Sequence, residues 1–245
     1  MMKATLSVFR RELTGYFATP LAYVFICIFL FATALVTFYW GSWFEQGRAD
    51  LDQFFVFHPW LYLFLVPAVA MRLWAEEYKT GTVELIMTLP LPLPALVLGK
   101  FLAAWAFAGL ALVLTFPMWV TVNVLGHPDN GVIFAGYVGS FLMAGGYLAI
   151  GSCLSAVTNN QVIAFVLAAA ISFLLTISGV PLVTDALSSF LPGALLSTFS
   201  SLSFLAHFAA IRTGVIELKD VVFFLSTIGV FLWINLILVD LRRAA

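Results

Sequence analysis

From Thr19 to Gly41 the chain reads Thr-Pro-Leu-Ala-Tyr-Val-Phe-Ile-Cys-Ile-Phe-Leu-Phe-Ala-Thr-Ala-Leu-Val-Thr-Phe-Tyr-Trp-Gly, without one charged side chain. About 20 apolar residues in a helix cross the hydrocarbon core of a bilayer, and there every backbone polar group has to be satisfied within its own segment. The stretch therefore reads as a membrane-spanning helix. Pro20, just after Thr19, is placed to turn the preceding chain into it.

Working outward, the same pattern recurs. No charge falls between Glu12 and Glu45, Asp52 and Arg72, Lys100 and Asp129, or Asp220 and Asp240. The gap from Asp129 to Asp185 holds two spans, divided by the polar patch Ser155 to Gln161. The expected spans are 20–41, 54–74, 100–124, 133–155, 162–180 and 220–239. Composition agrees: hydrophobic residues make up 63% of the chain and charged residues 9%, against about 45–50% and 25% in soluble domains. A water-soluble protein of this size could not cover so much apolar surface. The chain reads as one all-α polytopic membrane domain, 1–245, whose solvent partner is the lipid bilayer. A net charge of −1 argues against nucleic acid, which needs a basic face. The first span is long, with no good cleavage site after it, and is expected to stay in the mature protein.

Basic residues set the expected orientation. With both ends inside, Lys3, Arg10, Arg11, Arg72, Lys79, Lys100, Arg242 and Arg243 are cytoplasmic, and only Arg48, Arg212 and Lys219 are outside. That is a positive-inside distribution. Counting the uncharged stretch Ala186 to Ile211 as a seventh span leaves the score unchanged. Its Pro192-Gly193 break and its serines make it too polar for lipid exposure. It reads as helices that enter the outer leaflet and return, in an external region 182–218. The N-terminal segment, 1–19, differs again. Leu6, Phe9, Leu13, Tyr16 and Phe17 recur at helical spacing opposite Lys3, Ser7, Arg11 and Thr14, predicting an amphipathic helix in the cytoplasmic interface.

The loop 76–99 is the most informative cytoplasmic segment. It follows Arg72-Leu-Trp-Ala and reads Glu76-Glu-Tyr-Lys-Thr-Gly-Thr-Val-Glu-Leu-Ile-Met-Thr-Leu-Pro. Thr82 can cap a short helix, Glu84 suits its positive first turn, and Leu89-Pro90 can end it. Gly81 offers backbone freedom at the turn. Val83, Leu85, Ile86, Met87 and Leu89 need a burial partner. A protein groove and the headgroup layer both serve, and the residues alone leave the choice open.

Glu76-Glu77-x-x-x-Gly81-Thr82-x-Glu84-Leu85, a proline, and an apolar stretch closing with Gly99-Lys100 resemble the coupling loop of ABC type-2 exporter permeases. Arg11-Glu12-Leu13, Tyr16-Phe17 and Thr19-Pro20-Leu21-Ala22-Tyr23 resemble the gliding-motility branch of that family. So do His207-Phe208, Gly214-Val215-Ile216 and Asp220-Val221-Val222-Phe223-Phe224. Leu91-Pro92-Leu93-Pro94 is richer in proline than the family's usual linker. The resemblance implies six spans, with short re-entrant helices before the last one. It implies a permease of the bacterial inner membrane whose loop docks into a separate ATP-binding subunit, with ATP and Mg held on that subunit and a second permease copy alongside. Coupling is then carried by Glu76, Glu77, Gly81, Thr82, Glu84 and Leu85. Arg10, Arg11 and Glu12 come second, and His207 and Gly214 belong to the re-entrant region. The gliding branch implies transmission of force to an accessory membrane protein with a large external domain.

The residues themselves exclude other chemistry. The sequence has no Gly-x-x-x-x-Gly-Lys-Ser/Thr loop to cradle ATP. It has no Gly-x-Ser-x-Gly or His-Glu-x-x-His motif. His58, His127 and His207 share no metal-ligand spacing, and Cys27 and Cys153 lie in apolar runs, so no bound metal is expected. Apart from His58, the expected spans hold no ionisable group of the kind that ion-coupled carriers keep at midplane depth. Asn123, Asn159, Asn160 and Asn235 are expected to bond across helices. An intramembrane enzyme would need a convergent Ser/His or carboxylate site, and none is legible.

Overall fold

The computed structural model describes residues 1–88, 91–189 and 192–243, and these form an all-helical membrane protein. Helix α1 (Met2–Phe17) precedes α2 (Pro20–Leu35), which closes in a π-helical turn, Val36–Trp40. Proline starts α2 as expected: Thr19 is extended and Pro20 is the first helical residue, where its missing N–H costs nothing.

The span expected at 54–74 is interrupted. It consists of α3 (Asp52–Val56), α4 (His58–Ala70) and the start of α5 (Arg72–Thr80). Both junctions, Phe57 and Met71, keep right-handed helical torsions. Pro59, in the first turn of α4, lacks the N–H that would continue the ladder across the Phe57 break, whereas Pro67 lies inside α4 and the second break falls at Met71. α6 (Thr82–Thr88) follows. α7 (Leu93–Val113) begins seven residues before the expected span, because Pro92 is extended and Pro94 lies in its first turn. α8 (Phe116–Leu125) continues it past a break ahead of Pro117.

α9 (Asn130–Ser155) is capped by the Asp129 carboxylate, and α10 (Gln161–Ile177) by the Asn160 side chain. Between α10 and the last helix lie three short ones: α11 (Pro181–Ser188), α12 (Gly193–Ser200) and α13 (Phe204–Arg212). α10 and α11 meet at 84°. This is the bent, short-helix pattern expected before the last span. α14 (Leu218–Arg243) completes the fold.

Six spans were expected. By length and apolarity four helical segments qualify among the described residues: Pro20–Trp40, Leu93–Leu125, Asn130–Ser155 and Leu218–Arg242. The bent α10–α11 pair makes a fifth if counted as one span. The expected span 54–74 is not among them, because it is divided at Phe57 and Met71.

α9 is the axis of the bundle, buried along most of its length against α4, α7, α10, α13 and α14. Small residues let the neighbours close in: a Cβ at Gly151 would stand 2.4 Å from that of Ala70 on α4. Polar groups inside the bundle pair across helices. His58 Nδ1 lies 2.7 Å from Ser140 Oγ, Asn235 donates to Ser152 Oγ at 2.7 Å, and Tyr147 Oη is 2.6 Å from Thr176 Oγ1. Asn123 and Asn130 bond reciprocally between α8 and α9. Asn160 departs from the expectation, since its side chain serves the adjacent helix start.

Candidate functional site: a charged hub around α5

α5 is short, yet four other elements hold it. Its start lies at the break after Met71, where the first backbone N–H groups have no partner within the helix. Ser155, the last residue of α9, supplies one: its Oγ accepts from the N–H of Trp74 (3.1 Å) and Ala75 (3.0 Å), and its hydroxyl donates to the Met71 carbonyl (2.8 Å). A serine 80 residues away in sequence thus acts as the N-cap.

The flank of α5 meets α7 and α1. Lys100, the eighth residue of α7, is buried and donates to Glu77 Oε1 at 2.5 Å, with Glu12 Oε2 of α1 at 3.3 Å. Its ammonium also lies 5.4 Å from the ring of Trp74. Arg11 pairs with Glu12 at 2.5 Å. Arg72 reaches Glu76 one turn along with two hydrogen bonds, 2.6 and 2.9 Å. At the end of α14, Arg242 lies 4.6 Å over the Tyr78 ring and donates to Asn159 Oδ1 and the Val157 carbonyl.

These groups border a cleft of about 480 Å³ that Arg11, Glu12, Arg72, Glu76, Glu77 and Lys100 line, with Thr82 and Leu85 at its α6 side. Burial pushes the Glu77 carboxyl above the ordinary range, against the pull of Lys100. Burial works the same way on Glu12, but Lys100 and Arg11 together outweigh it and hold that carboxyl low. The hydrogen bonds from Arg72 hold Glu76 low.

Gly81 ends α5 in the left-handed region, φ +71°. A β-carbon there would meet nothing within 4 Å, so the demand for glycine comes from backbone torsion alone. Beyond it α6 projects from the bundle, with Leu85 69% exposed. Thr82 is the first helical residue, and its hydroxyl turns back to Thr80 Oγ1 (3.0 Å) and the Glu77 carbonyl (3.5 Å) instead of capping α6. The expected end of this helix at Leu89-Pro90 lies outside the described residues, as do the side chains of Ile86 and Met87.

The structure thus brings Glu76, Glu77, Thr82, Leu85, Arg11 and Glu12 into one cleft. Glu84 is exposed in the first turn of α6, and Arg10 is exposed on α1 away from the cleft. His207 and Gly214 lie apart from it. His207 sits between Asp220 Oδ1 (2.6 Å from Nδ1) and the Ser201 carbonyl (2.9 Å from Nε2), tying α13 to α14. Gly214, at φ +93°, follows α13, where a β-carbon would press on Val132 of α9. A second ion pair, Arg212 with Asp52 at 2.6 Å, joins α13 to α3.

Lys100 corrects the expectation that His58 is the sole ionisable group within the spans: the helix starts earlier than the charges implied, which draws the lysine into the bundle. Its signal in the sequence was a lone cation in an otherwise apolar run. The Arg72–Glu76 pair was legible from its four-residue spacing. The roles of Ser155 and Arg242 were not legible, since each acts on residues far away in sequence.

Residues 59–135, from α4 into α9, match the family model described as "CcmB protein". That stretch holds α5, Gly81, α6 and Lys100, but not α1, Ser155 or Arg242. Heme exporter protein B from Escherichia coli (strain K12) is 41% identical over 56 residues, 22% of this chain and 26% of that protein. Heme exporter protein B from Shigella flexneri matches to the same extent. The match spans about a quarter of the length of these curated relatives. The family match covers the segment that carries the projecting helix, and over 56 residues this chain is similar to a protein named for heme export.

Proposed function

We propose that this chain is the permease subunit of an ATP-binding-cassette exporter in the bacterial inner membrane, with α6 as the element that a separate ATPase subunit grips. The observation that carries the reading is mechanical. α6 stands exposed on a left-handed glycine, while the helix behind it is tied to α1, α7, α9 and α14. A load applied at Leu85 passes through α5 into four elements at once. Closure of two ATPase subunits on two permease copies would tilt α5 as a lever and shift the packed helices as rigid bodies. ATP and Mg belong to the partner in this scheme. The CcmB family match over this segment supports it, and the likeness to heme exporter protein B makes heme the first cargo to test.

The hub end is cytoplasmic in this reading, as the positive-inside rule requires for Arg11, Arg72, Lys79, Lys100 and Arg242. Glu84→Lys is the test variant. It reverses an exposed charge at the positive end of α6 without touching the bundle. It should insert normally yet lose stimulation of the partner ATPase; normal transport by this variant would count against the scheme.

A second reading, a force-transmitting permease of the gliding type, rests on the resemblance at Arg11–Tyr23 and His207–Phe224, both outside the matched residues 59–135. The end of the bundle away from the hub favours it in one respect: the short helices there present exposed apolar side chains, Leu182 at 80% and Leu195 at 57%. An accessory protein with an external domain would co-purify with the chain if this reading is right. Cargo flux in vesicles without such a protein would leave plain export.

A further inference from the structure

α1 has two unlike halves. Its C-terminal half, from Arg11 to Thr19 just beyond it, borders the charged cleft. Its N-terminal half covers a second hollow of about 790 Å³, lined by Met2, Leu6 and Phe9 of α1, Leu102 and Trp105 of α7, and Phe141 of α9. The two halves part where α1 crosses α7. There Val8 is seated on Gly99, so closely that a β-carbon on Gly99 would stand 2.6 Å from that of Val8. The hollow therefore lies near Lys100, toward the hub end, along the flank of a helix that is long and apolar enough to span.

The walls of this hollow are apolar apart from Thr5, and the nearest basic side chains of α1 flank its Leu6 edge without lining it. Lys3 and Arg10 are exposed, and among the described residues neither has an ion-pair partner. They stand seven residues apart, so they share one side of α1 about 10 Å apart along its axis. Leu6, at the edge of the hollow, falls between them at three and four residues' spacing, so Lys3 flanks the apolar stripe of α1 where the sequence pattern set it opposite. No carboxylate lies on α7 or α9, and the one acid of α1, Glu12, is engaged by Arg11 and Lys100. An apolar trough on the flank of a span, with two unpaired cations one turn to either side of its edge residue Leu6 and no anion on its helices α7 and α9, suits an acidic phospholipid.

We propose that this hollow binds one acidic phospholipid, with an acyl chain against Trp105 and Phe141 and the phosphate held between Lys3 and Arg10. Long basic side chains reach from an apolar face to the headgroup layer in this way, and anionic lipid draws them there. The occupant would fix the free half of α1 as the ion pairs fix the other half. This inference does not depend on the identity of the ATPase or the cargo.

The test uses the full chain in nanodiscs of phosphatidylcholine doped with brominated-chain phosphatidylglycerol or with brominated-chain phosphatidylcholine. Bromine quenches nearby tryptophan, and the Trp105 share is the part of the quenching lost in Trp105→Phe. Phosphatidylglycerol should quench that share at a roughly tenfold lower mole fraction, and Lys3→Gln with Arg10→Gln should erase the difference. Both glutamine changes fall on exposed side chains and leave the bundle intact. Equal quenching by the two lipids would overturn the proposal, because the trough would then hold any bilayer lipid. Absence of Trp105 quenching by either would also overturn it, because a second copy or another protein would then cover the trough. Should Trp105→Phe fail to fold, native mass spectrometry of the wild type and the double glutamine variant decides. Retention of phosphatidylglycerol over phosphatidylcholine by the wild type alone supports the site, and the same retention by both proteins sinks it.

Discussion

At the scale of single residues, Lys100 decides whether the hub holds together. It is buried, it faces two carboxylates, and the Glu77 carboxyl already resists ionisation. Removing one partner of a buried pair leaves an uncompensated charge, and this costs more than the pair itself contributes. Lys100→Met should therefore destabilise the protein by about 3–5 kcal/mol. Adding Glu77→Gln should restore more than half of that loss, because Glu12 keeps Arg11. Chemical unfolding of the purified variants measures both. The sequence showed this lysine only as the end of a motif. Its burial depends on where α7 begins, and Pro92 and Pro94 set that point more firmly than the charge pattern does. Gly81 was legible for the opposite reason: a left-handed turn between two short helices leaves a local mark, and glycine is that mark.

At the scale of elements, α1 was expected to be an amphipathic helix in the cytoplasmic interface, and the sequence did not reveal the protein surface it packs on. Here Val8, outside the predicted apolar stripe, is the buried residue, and it sits on Gly99 of α7. Tyr16 stacks on Phe107 at 5.0 Å, further along the same helix. Gly99→Ala should accordingly lift α1 from α7 and raise its hydrogen exchange at least tenfold. Val8→Gly in the same chain should reverse most of the effect despite costing about 1 kcal/mol of helix propensity.

The ion pairs make this docking pH-dependent. Glu12, which ties α1 to Lys100, has its carboxyl held below the ordinary value of 4.5, so its contribution is complete above that value and is lost as pH falls through the lowered value. Glu76, held low by Arg72 within α5, behaves the same way but acts on α5. Glu77, raised by burial, works in the opposite sense and gains as it takes up a proton. Hydrogen exchange of α1 should stay slow from pH 7 to 5 and quicken below 4.5, ahead of α9. Uniform loosening of all helices would contradict this. The interrupted second span was the least legible element. Its apolar run announces a crossing, but the breaks at Phe57 and Met71 divide it in a way that charge gaps do not reveal.

At the scale of the whole molecule, the bundle is an axis, α9, with a different apparatus at each end. The Ser155 end gathers α1, α5, α7 and α14 around charges. The Asn130 end carries the short helices, tied by Arg212–Asp52 and His207–Asp220. Fold class was legible because a bilayer imposes length and apolarity on each crossing helix. The convergence on α5 was not, because three-dimensional neighbours 80 residues apart leave no local signature. In the proposed function, that convergence makes α6 a handle on the entire bundle. A photo-crosslinking amino acid at Leu85, in membranes that also contain the proposed ATP-binding subunit, tests it most directly. An adduct with that partner, altered when ATP is added, is the expected result. Adducts with lipid alone, in both the presence and absence of ATP, would contradict it.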